Sequence, residues 1–124
     1  MLGLSGVMAT IPVVDADRAK KFYTEALGLS IIEESEGGVV LDGGGGTRLL
    51  IYPRGATKAD HTVVSFEVDN LEATMADLRT RGVTFDEYDI PGHKTENGMT
   101  IFGDRRASWF SDTEGNILAL GDML

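Results

Sequence analysis

The sequence predicts an α+β fold made of one module written twice. Two observations carry that expectation. Asp15 and Asp69 each follow an apolar stretch, residues 7–14 and 62–68, and each opens a segment of helix-like spacing that ends at a glycine, Gly28 or Gly82. The offset is 54 residues at both marks, from 15 to 69 and from 28 to 82, and Ala19 and Ala73 match at the same offset. A duplication of this kind implies two equal half-domains with a cleft between them.

Each element has a local reason. Residues 7–14 read as a strand from their β-branched content. Pro12 cannot donate to a ladder, so this strand belongs at a sheet edge or a bulge. Asp15 is placed to cap a helix that runs to about Leu27 and carries Ala19, Phe22, Tyr23 and Ala26 on one face. Gly28 ends it in a left-handed turn. Residues 29–34, 39–41 and 48–52 read as strands, with a glycine turn at 43–46 and a linker at 53–60. In the second half, residues 62–68 are a strand, and Asn70 or Asp69 caps a helix that turns Leu71, Met75 and Leu78 inward. Gly82 ends that helix. Residues 83–88, 108–111 and 116–120 read as strands. Residues 91–106 form a polar, irregular segment with no equal in the first half, long enough for a lid. Each half is thus strand, helix, then three strands, with modules at about 5–53 and 61–122 of a single domain, 1–124.

Composition narrows the function classes. A chain of 124 residues has the length of one domain. It has no cysteine, which excludes disulfides, thiol nucleophiles and thiolate metal sites. The formal charge is −9, so nucleic acid is not an expected partner, while an organic cation would be drawn in at long range. Residues 1–6 hold no basic side chain and no apolar run has membrane-spanning length, so the expectation is a cytoplasmic protein without a membrane partner.

Strand alternation sorts the candidate side chains. Val7, Ala9, Ile11 and Val13 form an apolar face, and Met8, Thr10 and Pro12 the other. Val64, Phe66 and Val68 form the apolar face in the second half, opposite His61, Val63, Ser65 and Glu67. Glu67 suits a proton acceptor or a cation partner if partly buried, and an ordinary edge carboxylate otherwise. His61 reads as a strand-edge residue, or as a ligand if partners converge on it. His93 lies in the long segment, where loop side chains often serve function. Ser65 has no base at fixed spacing, which argues against a nucleophilic serine. The glycine run 43–46 joins two strands and is no phosphate loop. Trp109, Phe102 and Tyr88 offer either a stacking surface or core packing. Arg105 and Arg106 read as solvated, or as partners for an anionic ligand group.

The pattern Asp15-x-x-Arg18-Ala19-x-x-Phe22-Tyr23-x-x-x-Leu27-Gly28-Leu29 resembles the vicinal oxygen chelate superfamily, which includes glyoxalase I, extradiol dioxygenases and bleomycin-resistance proteins. Residues 68–73, Arg81-Gly82-Val83 and the aromatic–Asp–Gly–Asn turn at 109–116 extend the resemblance over nearly the whole chain. It implies two tandem βαβββ modules that curl into a cleft-containing mixed sheet. It carries the family's metal-ligand positions onto Met8, Val63, Ala119 and a position at or beside Leu49. None of these offers an oxygen or imidazole ligand, so no metal and no cofactor are expected. The cleft candidates are Met8, Thr10, Leu49, His61, Val63, Ser65, Glu67, His93, Trp109 and Ala119. The resemblance implies a homodimer that binds a small organic molecule without metal, a cationic or aromatic compound such as an antibiotic. Two enzymatic alternatives stay open: a lyase, isomerase or dioxygenase of the glyoxalase type with an unusual site, and metal-independent proton transfer with Glu67 or His93 as base.

Overall fold

The echo in the sequence is a repeat of structure. The computed structural model describes residues 2–92 and 94–123, and the chain divides into two compact units, Met1–Lys58 and Ala59–Leu124. The first holds β1 (Met8–Val13), α1 (Ala16–Lys21), β2 (Ser30–Ser35), β3 (Gly38–Gly44) and β4 (Thr47–Pro53). The second holds β5 (Thr62–Glu67), α2 (Leu71–Thr80), β6 (Met99–Phe102), β7 (Arg105–Ser111) and β8 (Ile117–Met123). Each unit is one four-stranded mixed sheet, ordered β1-β4-β3-β2 and β5-β8-β7-β6. The outer pairs β1–β4 and β5–β8 are parallel, and the others antiparallel. The fold is therefore α+β with two tandem βαβββ modules. Pro12 lies in an edge strand, as its missing N–H requires.

The offset between repeats steps up after the helices. It is 54 residues for β1 and β5 (8 to 62), 67 for β3 and β7 (38 to 105) and 70 for β4 and β8 (47 to 117). Most of the extra length falls between α2 and β6. That corrects two sequence expectations. Residues 83–88 are not a ladder strand; they touch the sheet through one bridge, Phe85 to Phe110. The fourth strand is Met99–Phe102, inside the stretch expected to be an irregular lid, and it pairs with β7. The signal there was weak because β6 is only four residues long and follows Asn97 and Gly98, both at positive φ. Gly98 is buried, and a Cβ on it would come within 2.9 Å of the Phe85 Cβ, so the chain can pinch against the helix side only with glycine there.

Each helix covers one face of its own sheet. Asp15 caps α1, its carboxylate accepting from the Arg18 N–H at 3.0 Å. The helix continues as a π-turn, Phe22–Ala26, and Gly28 leaves it at φ 74°. Ala19 and Tyr23 bury against Ile11, Val13, Leu41, Leu49 and Ile51. Asn70, not Asp69, caps α2 by accepting from the Ala73 N–H at 3.0 Å. Leu71, Met75 and Leu78 bury with Phe110, Leu118 and Leu120. Each such side chain contributes about 1.5–3 kcal/mol when fully buried. Among the described residues no helix is long and apolar enough to cross a membrane.

The start of α2 is tied to its sheet by charge. Asp122 in β8 is 2 % exposed and faces the helix. Its Oδ2 accepts from the Leu71 N–H at 2.7 Å and from Arg106 Nη2 at 2.6 Å, and its Oδ1 accepts from Arg106 Nε at 2.9 Å. Arg106 Nη1 also donates to Glu72 in the first turn of α2, at 2.8 Å. Arg106 is thus not a solvated side chain. The Arg106 hydrogen bonds, helped by the Leu71 N–H, hold the Asp122 carboxyl below the usual aspartate range. A depressed pKa gives stability that is present above the ordinary aspartate value and is lost as pH falls through the depressed one. Arg106→Leu should therefore lower the melting temperature at pH 7, and by more than Lys20→Met, which breaks only the exposed Lys20–Glu34 pair. The gap between wild type and Arg106→Leu should close as Asp122 protonates in acid. Equal losses from the two variants would show that the buried pair does not anchor α2.

Candidate functional site

The second sheet keeps one face free of its helix. Ladder register places Trp109 beside Ala119, Ala107 beside Gly121, and Arg105 beside Met123. On the other side of β8, Thr62 pairs with Ile117, Ser65 with Ala119 and Glu67 with Gly121. Ser108 and Phe110, the chain neighbours of Trp109, are both 0 % exposed on the helix side, which fixes the indole on the open face. A bulge between Thr62 and Val64 leaves Val63 outside the ladder.

At one end of this face lies an open concavity of about 270 Å³, lined by Asp60, His61, Thr62, Tyr88, Ile90, Phe102, Trp109 and Ile117. Three rings form its walls. Tyr88 and Phe102 both meet Trp109 edge to face, with centroids 5.6 Å and 6.1 Å away. Tyr88 is held by Thr95, which is 4 % exposed. The Tyr88 N–H donates to Thr95 Oγ1 at 2.7 Å, and the Thr95 N–H donates to the Tyr88 carbonyl at 2.9 Å. The Asp86 N–H donates to the Trp109 carbonyl at 2.8 Å, which docks the segment on β7. Partial burial raises the Asp86 carboxyl above its ordinary pKa. Burial, and then the Asp86 charge, raise the Tyr88 phenol. At the rim His61 Nδ1 lies 3.2 Å from Asp60 Oδ1, with both side chains exposed.

At the other end of the face Arg105 forms an ion pair with Glu67. Its guanidinium crosses from β7 over Gly121 of β8 to β5. Arg105 Nη1 also contacts Met123 Sδ at 3.1 Å. Arg105 is therefore not merely solvated, and Glu67 is not an unengaged base or counter-charge.

The sequence candidates thus separate. His61 and Trp109 line one concavity, while Ser65, Ala119 and Glu67 continue the same face. Met8 and Thr10 belong to the first sheet. Leu49 does not share a face with Met8. It pairs with Ala9 and Leu41 and is 2 % exposed in the core beneath α1, because ladder partners point to the same side. Val63 lies in the bulge, and Thr62 takes the place beside Ile117. His93 lies outside the described residues. Sequence reasoning missed Asp60, Thr62, Ile90, Ile117 and Asp86; a bulge and an irregular segment carry no periodic signal that would find them.

The sequence profile of the Glyoxalase/Bleomycin resistance protein/Dioxygenase superfamily matches residues 7–120. The chain belongs to that superfamily. It is 32 % identical over 82 residues, 59 % of this chain and 68 % of the relative, to uncharacterized protein YetH of Bacillus subtilis (strain 168). Among solved structures it is similar to TnmS3, an antibiotic binding protein from Streptomyces sp. CB03234, at 24 % identity and a TM-score of 0.66, over 96 % of this chain and 95 % of that one. It is also similar to a glyoxalase/bleomycin resistance protein from Streptomyces sp. CB03234, at 25 % identity and a TM-score of 0.67, over 93 % and 97 % of the two chains.

The residues at the family's carried-over metal positions do not fit a divalent ion. Met8, Val63 and Ala119 offer no hard or imidazole donor, and neither does Leu49, which is turned into the core. Among the described residues no three His, Asp or Glu side chains are grouped to hold a metal.

The raised Asp86 pKa carries a stability consequence. A carboxyl whose folded pKa is raised contributes stability that is complete below its ordinary value and is lost as pH rises through the raised one. At neutral pH the charged Asp86 therefore costs stability. Asp86→Asn should raise the melting temperature at pH 7 and give no gain near pH 3, below the ordinary aspartate value of about 3.9. A lower melting temperature at pH 7 would mean that the carboxylate has a stabilising partner.

Proposed function

We propose that this chain binds a small, partly aromatic organic molecule without a metal ion, at the open face of the second sheet. The observation that carries the reading is the concavity walled by Tyr88, Phe102 and Trp109, with His61 and Asp60 at its rim. Apolar walls with a few polar groups at the edge are the usual makeup of a ligand site. The similarity to an antibiotic binding protein supports a ligand-binding role over a catalytic one. So does the engagement of Glu67 by Arg105, which leaves it poorly placed as a base. The net charge of −9 favours the arrival of cationic over anionic molecules. Glyoxalase-type lyase, isomerase or dioxygenase chemistry is the weaker reading, since the carried-over positions lack ligands.

Trp109 is the only tryptophan, so its emission reports directly on the walls of the concavity. Planar aromatic amines such as 2-aminoacridine should change that emission saturably. Tyr88→Ala should weaken binding by up to roughly tenfold, the loss of an aromatic contact of about 0.5–1.5 kcal/mol. Unchanged emission with every aromatic probe would refute the reading.

The reading includes a homodimer. Ile31 and Ile32 are 42 % and 52 % exposed on β2, an edge strand whose unpaired backbone groups suit contact with a second copy. Light scattering should give twice the chain mass at micromolar concentration; a monomer mass throughout would remove the dimer.

A further inference from the structure

We propose that Asp86 is the specificity residue of this site and selects molecules that carry an organic cation, an ammonium or amidinium, next to their aromatic ring. The inference rests on the proposed small-molecule reading and deepens it. The Phe85–Phe110 bridge sets Asp86 opposite Trp109, so strand alternation turns its side chain to the open face, and its N–H donates to the carbonyl of Trp109 at 2.8 Å. Its neighbours Trp109 and Tyr88 line the concavity itself. Its charge is felt at the Tyr88 phenol.

What separates Asp86 from the carboxylates near it is partial burial without a partner. Asp60 lies against His61, Glu87 Oε2 accepts from Thr95 Oγ1 at 3.0 Å, and Asp89 is exposed to water. Among the described residues no hydrogen bond or ion pair reaches the Asp86 side chain. A partly buried carboxylate without a partner is costly, and burial without compensation is what raises its pKa. A cation seated against Trp109 would supply the missing partner, and the π-faces of Trp109, Tyr88 and Phe102 would attract the same charge. Carboxylate and rings thus favour one sign. The concavity, about 270 Å³, lies just below the range of drug-sized sites, roughly 300–1,000 Å³, and suits a single ring system.

Three probes of nearly equal shape test this: benzamidine, benzamide and benzoate, titrated into the full chain and followed by the NMR shift of the Trp109 indole proton. Benzamidine should bind at least about fivefold more tightly than benzamide, the factor given by one charge pair at contact distance in bulk water, and benzoate more weakly still. Asp86→Asn should abolish the difference, and Asp86→Glu should keep part of it. Asp77→Asn removes the same charge from the exposed side of α2 and should leave the preference intact. Benzamide binding as tightly as benzamidine, or an Asp86→Asn variant that keeps the preference, overturns the role of Asp86 while the aromatic site stands. No shift with any probe overturns both.

Discussion

Each module has one helix for a sheet with two faces, and the rest of the structure follows from that shortage. In the second unit α2 takes Phe110, Leu118 and Leu120 into the core, so alternation turns Trp109, Ala119 and Ser65 to the other side. An apolar residue such as Trp109 on an uncovered face needs company to limit its contact with water. It finds company in Tyr88 and Phe102, which come from the irregular segment and from β6. The concavity is the space those three rings leave between them. The Asp122–Arg106 pair supports the arrangement from the opposite face by holding the first turn of α2 against β8 and β7.

Charge divides the open face into two ends. At one, Arg105 and Glu67 neutralise each other across β8. At the other, aromatic edges adjoin a carboxylate that has no cation of its own. A net charge of −9 does not by itself choose where a cation would bind; on the proposed reading the unpaired carboxylate of Asp86 makes that choice. The cost of leaving Asp86 uncompensated fits a functional role, since strain and unsatisfied charge are tolerated where a ligand relieves them.

Much of the fold was legible because repetition is a signal that outlasts local ambiguity. The matched caps and glycines located both helices, and alternation sorted Ile11 from Thr10 and Phe66 from Glu67. The failures have physical causes. Leu49 was misplaced because an apolar run, Leu49–Leu50–Ile51, shows no alternation; only the ladder to Ala9 reveals which residues face α1. β6 was missed because it is four residues long and its partner strand defines it. Arg105 and Arg106 looked like two adjacent surface charges, yet consecutive strand residues point to opposite faces. One therefore meets Glu67 and the other Asp122. Trp109, Phe102 and Tyr88 were legible together as a stacking surface or as core packing, and the sequence left that choice open because it depends on the docking of residues 86–88 against β7.

The most direct test of the open face as the binding site is to locate a bound ring by intermolecular nuclear Overhauser contacts. With 2-naphthylamine at saturation, contacts should run from the naphthalene protons to the rings of Trp109, Tyr88 and Phe102 and to the Ile117 methyls. Contacts confined to the first sheet, at Met8, Thr10 or Leu50, would contradict the account, as would saturable binding with no contact to Trp109.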